Sequence, residues 1–93
     1  MKRIARFEWD ARNVGHIEAK HGVRPEEVDG VFRGGPLLRR AREGRMTALG
    51  RTDTGRYLFV VFKVRPGNVV RVITARDMTD AERRYYRRRK EER

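Results

Sequence analysis

Four cationic side chains lie in segments whose alternating pattern predicts β-strands, namely Arg51, Lys63, Arg71 and Arg76. Regular strands place side chains at fixed positions on a sheet, so several of these cations could converge. Metal-free transfer at a phosphate ester needs a base for the attacking hydroxyl, fixed positive charge around the phosphorus and an acid for the departing oxygen. Converging arginine and lysine side chains would supply the fixed charge.

His21 and Glu82 are candidates for moving protons. His21 ends a predicted helix, where the helix dipole favours its charged form. It also shares a stripe with Val14 and Ile17, so a partly buried structural histidine explains it equally well. Glu82 follows Thr79 at the spacing of a capping box, which accounts for this glutamate without catalysis. The roles of acid and base therefore stay open.

The overall charge favours a polyanionic partner. The chain carries 24 Lys and Arg against 13 Asp and Glu in 93 residues, a net charge of +11, and 20 of the basic residues are arginine. A guanidinium group holds phosphate oxygens in pairs, whereas an ammonium acts as a point charge. Heat tolerance or codon usage could also enrich arginine, but neither would predict clustering. Phosphate is the favoured anion.

The basic residues form two clusters. Arg33–Arg56 holds seven arginines, and Arg83–Lys90 holds six basic residues and no acid. Tyrosines among them suit single-stranded RNA, whose unstacked bases lie on aromatic rings. Tyr85 is also placed to close the core, which leaves Tyr86 as the freer ring. The predicted RNA-binding residues are Arg39, Arg40, Arg42, Lys63, Tyr86, Arg87 and Arg88.

Several classes of protein are disfavoured by what the sequence lacks. It has no cysteine and only two histidines, so disulfides and thiolate metal sites are excluded and a structural zinc site has too few ligands. We expect neither a metal nor a cofactor. No segment resembles a signal peptide or reaches membrane-spanning length, which predicts a cytoplasmic protein.

The N-terminal half is predicted to contain one strand and two helices. The strand covers Lys2–Trp9, and Asp10 caps a helix over Ala11–Lys20 on which His16 faces solvent. A second helix begins at Pro25 and closes before the glycines that precede Leu37. Residues 37–44 carry three arginines and are either an edge strand or an exposed basic loop.

The second half changes to a sheet pattern. Strands are predicted at Met46–Thr52, Arg56–Val64 and Val69–Arg76, joined by short turns into an antiparallel meander. Leu58, Val60, Phe62 and Val64 alternate with Tyr57, Phe59 and Val61, so the middle strand is covered on both faces. A capping box at Thr79–Glu82 opens a last helix. The prediction is one α+β domain over residues 1–93, with a basic tail at 87–93.

Seven short motifs in this order resemble the BrnT-like toxins, and the resemblance runs from Phe7 to Tyr85. Each motif is short, but the set at these distances is specific. The motifs are Phe7-Glu8-Trp9-Asp10, Lys20-His21-Gly22-Val23, Glu26-Glu27-Val28, Val31-Phe32, Leu49-Gly50-Arg51, Arg71-Val72-Ile73-Thr74-Ala75-Arg76 and Glu82-Arg83-Arg84-Tyr85.

The resemblance implies a RelE-like fold and a metal-independent endoribonuclease toxin that blocks translation. It also implies neutralisation by a cognate antitoxin, which in that family is BrnA, a protein with a ribbon-helix-helix part. The chain departs from many relatives after Phe32, where arginines replace an Asp-Pro segment and acidic residues. The family's catalytic roles fall on His21, Arg51, Arg71, Arg76, Glu82 and Tyr85.

Two other functions use the same arginines. A non-catalytic module could hold RNA or DNA through backbone charge alone, with the same steep salt dependence as a nuclease. A basic face could instead dock an acidic protein. Cleavage separates a nuclease from a binding module, and nucleic-acid affinity separates both from a protein-docking surface.

Overall fold

The structure is a computed structural model that describes residues 3–91. A 3₁₀ turn at Arg42–Gly44 separates the second and third strands, and a π-helical turn at Arg87–Glu91 continues the last helix. The elements are β1 (Arg6–Glu8), α1 (Ala11–His21), α2 (Pro25–Arg33), β2 (Leu37–Arg40), β3 (Met46–Arg51), β4 (Tyr57–Arg65), β5 (Val69–Asp77) and α3 (Asp80–Tyr86). The α+β class predicted from the sequence is confirmed.

The sheet has five strands in the order β1-β5-β4-β3-β2. The predicted three-stranded meander corresponds to β3, β4 and β5. The sheet is larger than predicted, because β1 pairs with the free edge of β5 and β2 pairs with the free edge of β3. Residues 37–40 form the edge strand β2, and β1 pairs in parallel with β5 through Arg6↔Val69. That pairing joins segments 63 residues apart, which local patterns do not reveal. The predicted start of β1 at Lys2 lies outside the described residues.

The main core lies between one face of the sheet and the first two helices. Ile17 of α1 and Val28 of α2 are fully buried there against Val60 and Phe62 of β4. We call the opposite side of the sheet the outer face. Val64, the last residue but one of β4, is 41% exposed. The prediction that it is covered was therefore wrong.

A bulge in β5 decides which arginines share the outer face. Residues five apart on a regular strand point to opposite faces. The register shifts between Val61 and Phe62, so that Arg71 pairs with Lys63 and Arg76 pairs with Phe59. Lys63 and Phe59 lie four residues apart on β4. Both arginines therefore point to the outer face.

Helix α1 runs along the part of the β5 edge that β1 does not cover. Asn13 is buried, and its Nδ2 donates to the carbonyls of Val72 at 3.0 Å and Glu8 at 2.9 Å. Because the Val72 carbonyl is at an unpaired sheet edge, the amide replaces the donor of a missing strand. Asp10 caps α1 as predicted, accepting from the backbone N–H of Arg12.

The expectation that His16 faces solvent was wrong. This side chain is half-buried, and its Nε2 lies 3.1 Å from Thr74 Oγ1. It follows Asn13 by three residues, so both point to the β5 edge. The helical pattern alone could not show that a strand edge, rather than water, lies on that side.

Helix α3 covers part of the outer face. Tyr86 is 6% exposed and packs edge-on against Tyr57, with 5.9 Å between ring centroids. The prediction that Tyr86 is the freer ring was therefore wrong, and its buried ring offers no platform for a base. Burial also raises the pKa of Tyr86. The crossing direction of α3, which its sequence does not specify, turns Tyr86 inward.

Candidate active site

Arg76 and Glu82 form a two-point ion pair on the outer face. Arg76 Nη1 donates to Glu82 Oε1 at 2.8 Å, and Nη2 donates to Oε2 at 3.0 Å. Glu82 stands in the first turn of α3 and also accepts from the Thr79 backbone N–H, completing the predicted capping box. The arginine Cζ lies 4.2 Å from the centroid of Phe59. The guanidinium is thus fixed by an ion pair and an aromatic ring.

Part of this guanidinium remains available. Its five N–H groups include a second one on Nη1, which donates to the Asp77 carbonyl at 3.0 Å. Among the hydrogen bonds of residues 3–91, none uses Nε–H or the second N–H of Nη2. These two N–H groups point the same way along one edge of the guanidinium and form a fork. That edge lies opposite the Nη1 group that donates to Asp77. A fork of this kind matches two oxygens of a phosphate.

A groove of about 320 Å³ lies beside the ion pair, between α3 and the strands β2 to β4. It is lined by Arg39, Arg40, Thr47, Leu49, Phe59, Ala81, Glu82 and Tyr85. The Cζ atoms of Arg39 and Arg89 lie 5.1 and 4.5 Å from the centroid of Tyr85. Two arginines and one acid, Glu82, stand among apolar and aromatic side chains in this lining, so the groove has a modest positive charge.

The charge state of Glu82 follows from its partners. The Arg76 guanidinium holds the pKa of Glu82 below its ordinary value, with the Thr79 backbone acting in the same direction and partial burial opposing both. Glu82 is therefore a carboxylate at neutral pH. It can orient a cation or accept a hydrogen bond, but it is a poor proton donor.

Arg51 lies in a separate cleft that also contains Arg83 and Asp77. Its Nη1 donates to Glu91 at 3.1 Å, and its Cζ lies 4.6 Å from the Tyr57 centroid. The guanidinium of Arg83 also contacts the Tyr57 ring, at 4.2 Å. The structure therefore does not bring Arg51 into the groove beside Glu82.

Arg71 and Lys63 occupy the other end of the outer face. Arg71 Nη1 donates to Asp10 at 2.9 Å and lies 3.5 Å from Glu8. It is five residues from Arg76, or roughly 16 Å along a strand. The hydrogen bond from Arg71 lowers the pKa of Asp10, the residue that caps α1. Lys63 is exposed beside Arg71.

His21 lies at the C-terminal end of α1, away from the groove lining. Its backbone carbonyl accepts from Arg56 Nη2 at 3.2 Å. Its ring is half-buried and stands edge-on to His16, with 5.7 Å between centroids. Of the six predicted catalytic residues, the structure brings together Arg76, Glu82 and Tyr85. It places His21, Arg51 and Arg71 at three other positions.

The predicted RNA-binding residues divide by location. Arg39 and Arg40 line the groove. Arg42 is exposed in the 3₁₀ turn, and Arg88 is exposed in the π-helical turn. Arg87 lies 3.7 Å from Glu91 in the same turn. The part of the predicted basic tail at residues 92 and 93 lies outside the described residues.

Sequence reasoning missed two side-chain contacts near these residues. Phe59 supports the Arg76 guanidinium, and His16 reaches Thr74. Phe59 could have been found from its outer-face position, since cross-strand partners follow from the register. The contact of His16 depends on how α1 lies against the sheet, for which no local signal exists.

In residues 3–91, no group of three or more His, Cys, Asp or Glu side chains could hold a metal ion. No helix in this range is long and apolar enough to cross a bilayer.

Comparison with solved structures supports the fold. The chain is similar to the crystal structure of the Brucella abortus ribonuclease toxin BrnT, with a TM-score of 0.68 and 19% sequence identity. The match covers 81% of this chain and 97% of that one. No curated protein sequence matches the chain.

A family model gives the stronger result. Residues 9–82 match the family described as the ribonuclease toxin BrnT of type II toxin-antitoxin systems. The matched range contains the Arg76–Glu82 pair and most of the groove. This chain belongs to the BrnT family of ribonuclease toxins.

Proposed function

We propose that this chain is a metal-independent endoribonuclease that cleaves RNA beside α3 and thereby inhibits translation. The observation that carries the proposal is the fork of Arg76, a fixed cation on the outer face with two N–H groups that have no partner among residues 3–91. The carboxylate of Glu82 holds the guanidinium in place rather than holding a metal. The family match supports ribonuclease chemistry.

The fork of Arg76 suits the phosphate that is cleaved. As the 2′-oxygen attacks, negative charge builds on the non-bridging oxygens, and hydrogen bonds to them strengthen in the transition state. A guanidinium fixed in advance needs little reorganisation to respond. Glu82 is thus a positioning residue, and Arg76 is the proposed catalytic cation.

The groove would hold the RNA on one side of that phosphate. Arg39 and Arg40 can contact neighbouring phosphates. Tyr85 offers a ring to a base, but guanidinium groups of Arg39 and Arg89 now lie against it. A stacked base would displace one of them towards the RNA backbone. Proton transfer by His21, Glu82 or Tyr85 remains a prediction.

The test is cleavage of end-labelled single-stranded RNA in excess EDTA. Arg76→Ala should cut at least ~100-fold more slowly, in line with the loss of one transition-state donor. Arg33→Ala is the matched control, because it removes the same charge from an exposed residue that pairs with Asp29 and Asp53. Melting curves establish that both variants fold.

Each other outcome of this test would contradict a specific part of the proposed function. Cutting that requires a divalent cation would rule out the metal-independent reaction. Equal cutting by native protein and Arg76→Ala would rule out the site. RNA binding without cutting, also on ribosome-bound message, would favour the non-catalytic module. Inhibition of cell-free translation by native protein but not by Arg76→Ala would support the cellular role.

The partner is proposed from the family. Membership in a type II toxin-antitoxin family implies a cognate antitoxin. We propose that it is BrnA-like, with a ribbon-helix-helix part. Co-expression followed by size-exclusion chromatography would show whether such a protein forms a complex with this chain and suppresses its cutting.

A further inference from the structure

The cleft that contains Arg51 repeats the construction of the proposed site. Tyr57 and Phe59 lie two residues apart on β4, so both are on the outer face, about 7 Å apart along the strand. Arg51 pairs with Tyr57 across β3 and β4, and its Cζ lies 4.6 Å from the centroid of that ring. Arg76 pairs with Phe59 across β4 and β5, at 4.2 Å. Each guanidinium also bonds a glutamate. Two neighbouring positions of the outer face therefore carry an arginine held against a ring.

The Arg51 guanidinium has supports other than its glutamate. Its Nε donates to the Gly55 carbonyl at 3.3 Å, and its plane lies near the Tyr57 ring. A Cβ at Gly55 would come within 2.9 Å of Arg51 Nη2, so the glycine leaves room for this side chain. Among the hydrogen bonds of the described residues, none uses Nη2. The cleft, of about 540 Å³, thus contains a cation that would stay in place if its glutamate moved away.

A second cation stands on the same ring. The Cζ of Arg83 lies 4.2 Å from the Tyr57 centroid, and this side chain also lines the cleft. Within residues 3–91 its guanidinium forms no ion pair with a carboxylate. Two guanidinium groups and a tyrosine hydroxyl in one cleft are suited to the oxygens of a phosphate.

Glu91 engages the donors that such a phosphate would use. Its Oε2 accepts from Arg51 Nη1 at 3.1 Å, and its Oε1 accepts from the Tyr57 hydroxyl at 3.0 Å. Arginine recognises the paired oxygens of a carboxylate and of a phosphate in the same manner. The side chain of Glu91 therefore stands where an RNA phosphate would compete with it.

The π-helical turn accounts for this position. Glu91 follows the buried Tyr86 by five residues, and an i→i+5 turn brings residues five apart to one side of a helix. In an α-helix the neighbours would be three or four residues apart. Glu91 stands in the last described turn, whereas Glu82 is fixed in the capping box of α3. Because helix ends open at low cost, Glu91 can leave its donors while Glu82 stays.

We propose that the Arg51 cleft binds a backbone phosphate of the RNA and that Glu91 occupies its donors in the free protein. The inference rests on the proposed function for the identity of its ligand. RNA must displace the carboxylate, and the affinity of a site falls in proportion to the fraction of molecules in which the site is open. The chain thereby limits its own binding of RNA. Glu91 lies beyond residues 9–82, which match the family model.

The test measures binding to RNA that cannot be cut. Fluorescence anisotropy is recorded with labelled single-stranded RNA carrying 2′-O-methyl groups throughout, which lacks the attacking hydroxyl. Glu91→Gln keeps an acceptor for Tyr57 but removes the charge, and should bind this RNA about three- to fivefold more tightly than native protein. Asp80→Asn is the matched control, because it removes the same charge from an exposed residue of α3. It should change the affinity by less than about 1.5-fold.

Arg51→Ala shows whether the effect belongs to this cleft. Arg51 is exposed, so the variant should fold, which melting curves check. In the Arg51→Ala background, Glu91→Gln should change the affinity by less than about 1.5-fold, because the carboxylate no longer covers a cation.

Two results would overturn the proposal. One is an equal gain from Glu91→Gln with and without Arg51, and the other is a gain no larger than that of Asp80→Asn. If native protein does not cut ordinary RNA while the predicted differences in binding are found, the proposed cleavage fails and the assignment of the cleft stands.

Discussion

Two arginines, Arg56 just before β4 and Arg76 in β5, show how one residue type serves two purposes. Arg56 bonds both carboxylate oxygens of Asp77, at 2.7 and 3.2 Å, and Glu27 at 3.1 Å. It also donates to the carbonyls of Gly22 at 3.0 Å and His21 at 3.2 Å. All five of its N–H groups have partners. It joins the end of α1, the start of α2 and β5.

Arg76 has nearly the same exposure but a different set of partners. The side chains of Arg56 and Arg76 are 29% and 34% exposed. Exposure therefore does not distinguish them, and both hold a carboxylate. Arg76 keeps two N–H groups without a partner in residues 3–91. Unused donors on a fixed group, rather than charge or exposure, mark the position suited to a ligand.

The largest effect is expected from Arg76→Lys. Lysine keeps the charge and one bond to Glu82 but cannot present a fork. Cleavage should fall about 100-fold, while the free energy of unfolding changes by less than about 1 kcal/mol. Initial cleavage rates and urea unfolding measure the two quantities. Native-like cleavage would show that charge alone is sufficient at this position.

Arg56→Ala should give the opposite result. It leaves Asp77, Glu27 and two helix-end carbonyls without their shared donor, so the free energy of unfolding should fall by about 2–3 kcal/mol. The melting temperature should fall by at least about 10 °C. Cleavage per folded molecule, measured well below that melting temperature, should stay within about threefold of the native rate. A large loss of cleavage in the folded variant would erase the contrast between the two arginines.

Acid should weaken both ion pairs in a defined direction. Arg76 lowers the pKa of Glu82, and Arg56 lowers the pKa of Asp77. The pKa of each carboxyl is lower in the folded protein than in the unfolded chain, where it is about 4. Such a group stabilises the fold at pH values above the unfolded pKa, and this stabilisation is lost as the pH falls through the folded pKa. Glu82→Gln should therefore be less stable than native protein at pH 7, and the difference should shrink below about pH 4. Urea unfolding at several pH values checks this; a difference independent of pH would contradict it.

The smallest effect is expected from Arg39→Ala. Loss of one phosphate contact should weaken RNA binding a few-fold and reduce the slope of log affinity against log salt by about 0.7. Fluorescence anisotropy in a salt series measures both. Arg33→Ala, which removes a charge on the helix side, should leave the slope unchanged if RNA lies on the outer face.

Local features could be predicted where neighbours in the chain supply the partners. Asp10 and Thr79 were identified as helix caps, and the segments of β3 to β5 were recognised by their alternation. Arg76 and Glu82 were both candidates, but their ion pair was not foreseen. It depends on the direction of α3 across the sheet. Arg71 and Arg76 share the outer face only because of a bulge that no turn signal predicted, and they lie at its opposite ends rather than converging as expected.

The sequence by itself determined the charge of this protein, its lack of cysteine, its helix caps and the family to which its motifs point, because these depend on composition or on residues a few positions apart. Only the tertiary structure decided which side chains are available. It buried Tyr86, brought His16 to Thr74, and gave every N–H group of Arg56 a partner while leaving two of those of Arg76 without one in residues 3–91. Hydrogen-bond donors are used up by partners from distant segments, and those partners meet only when the chain has folded.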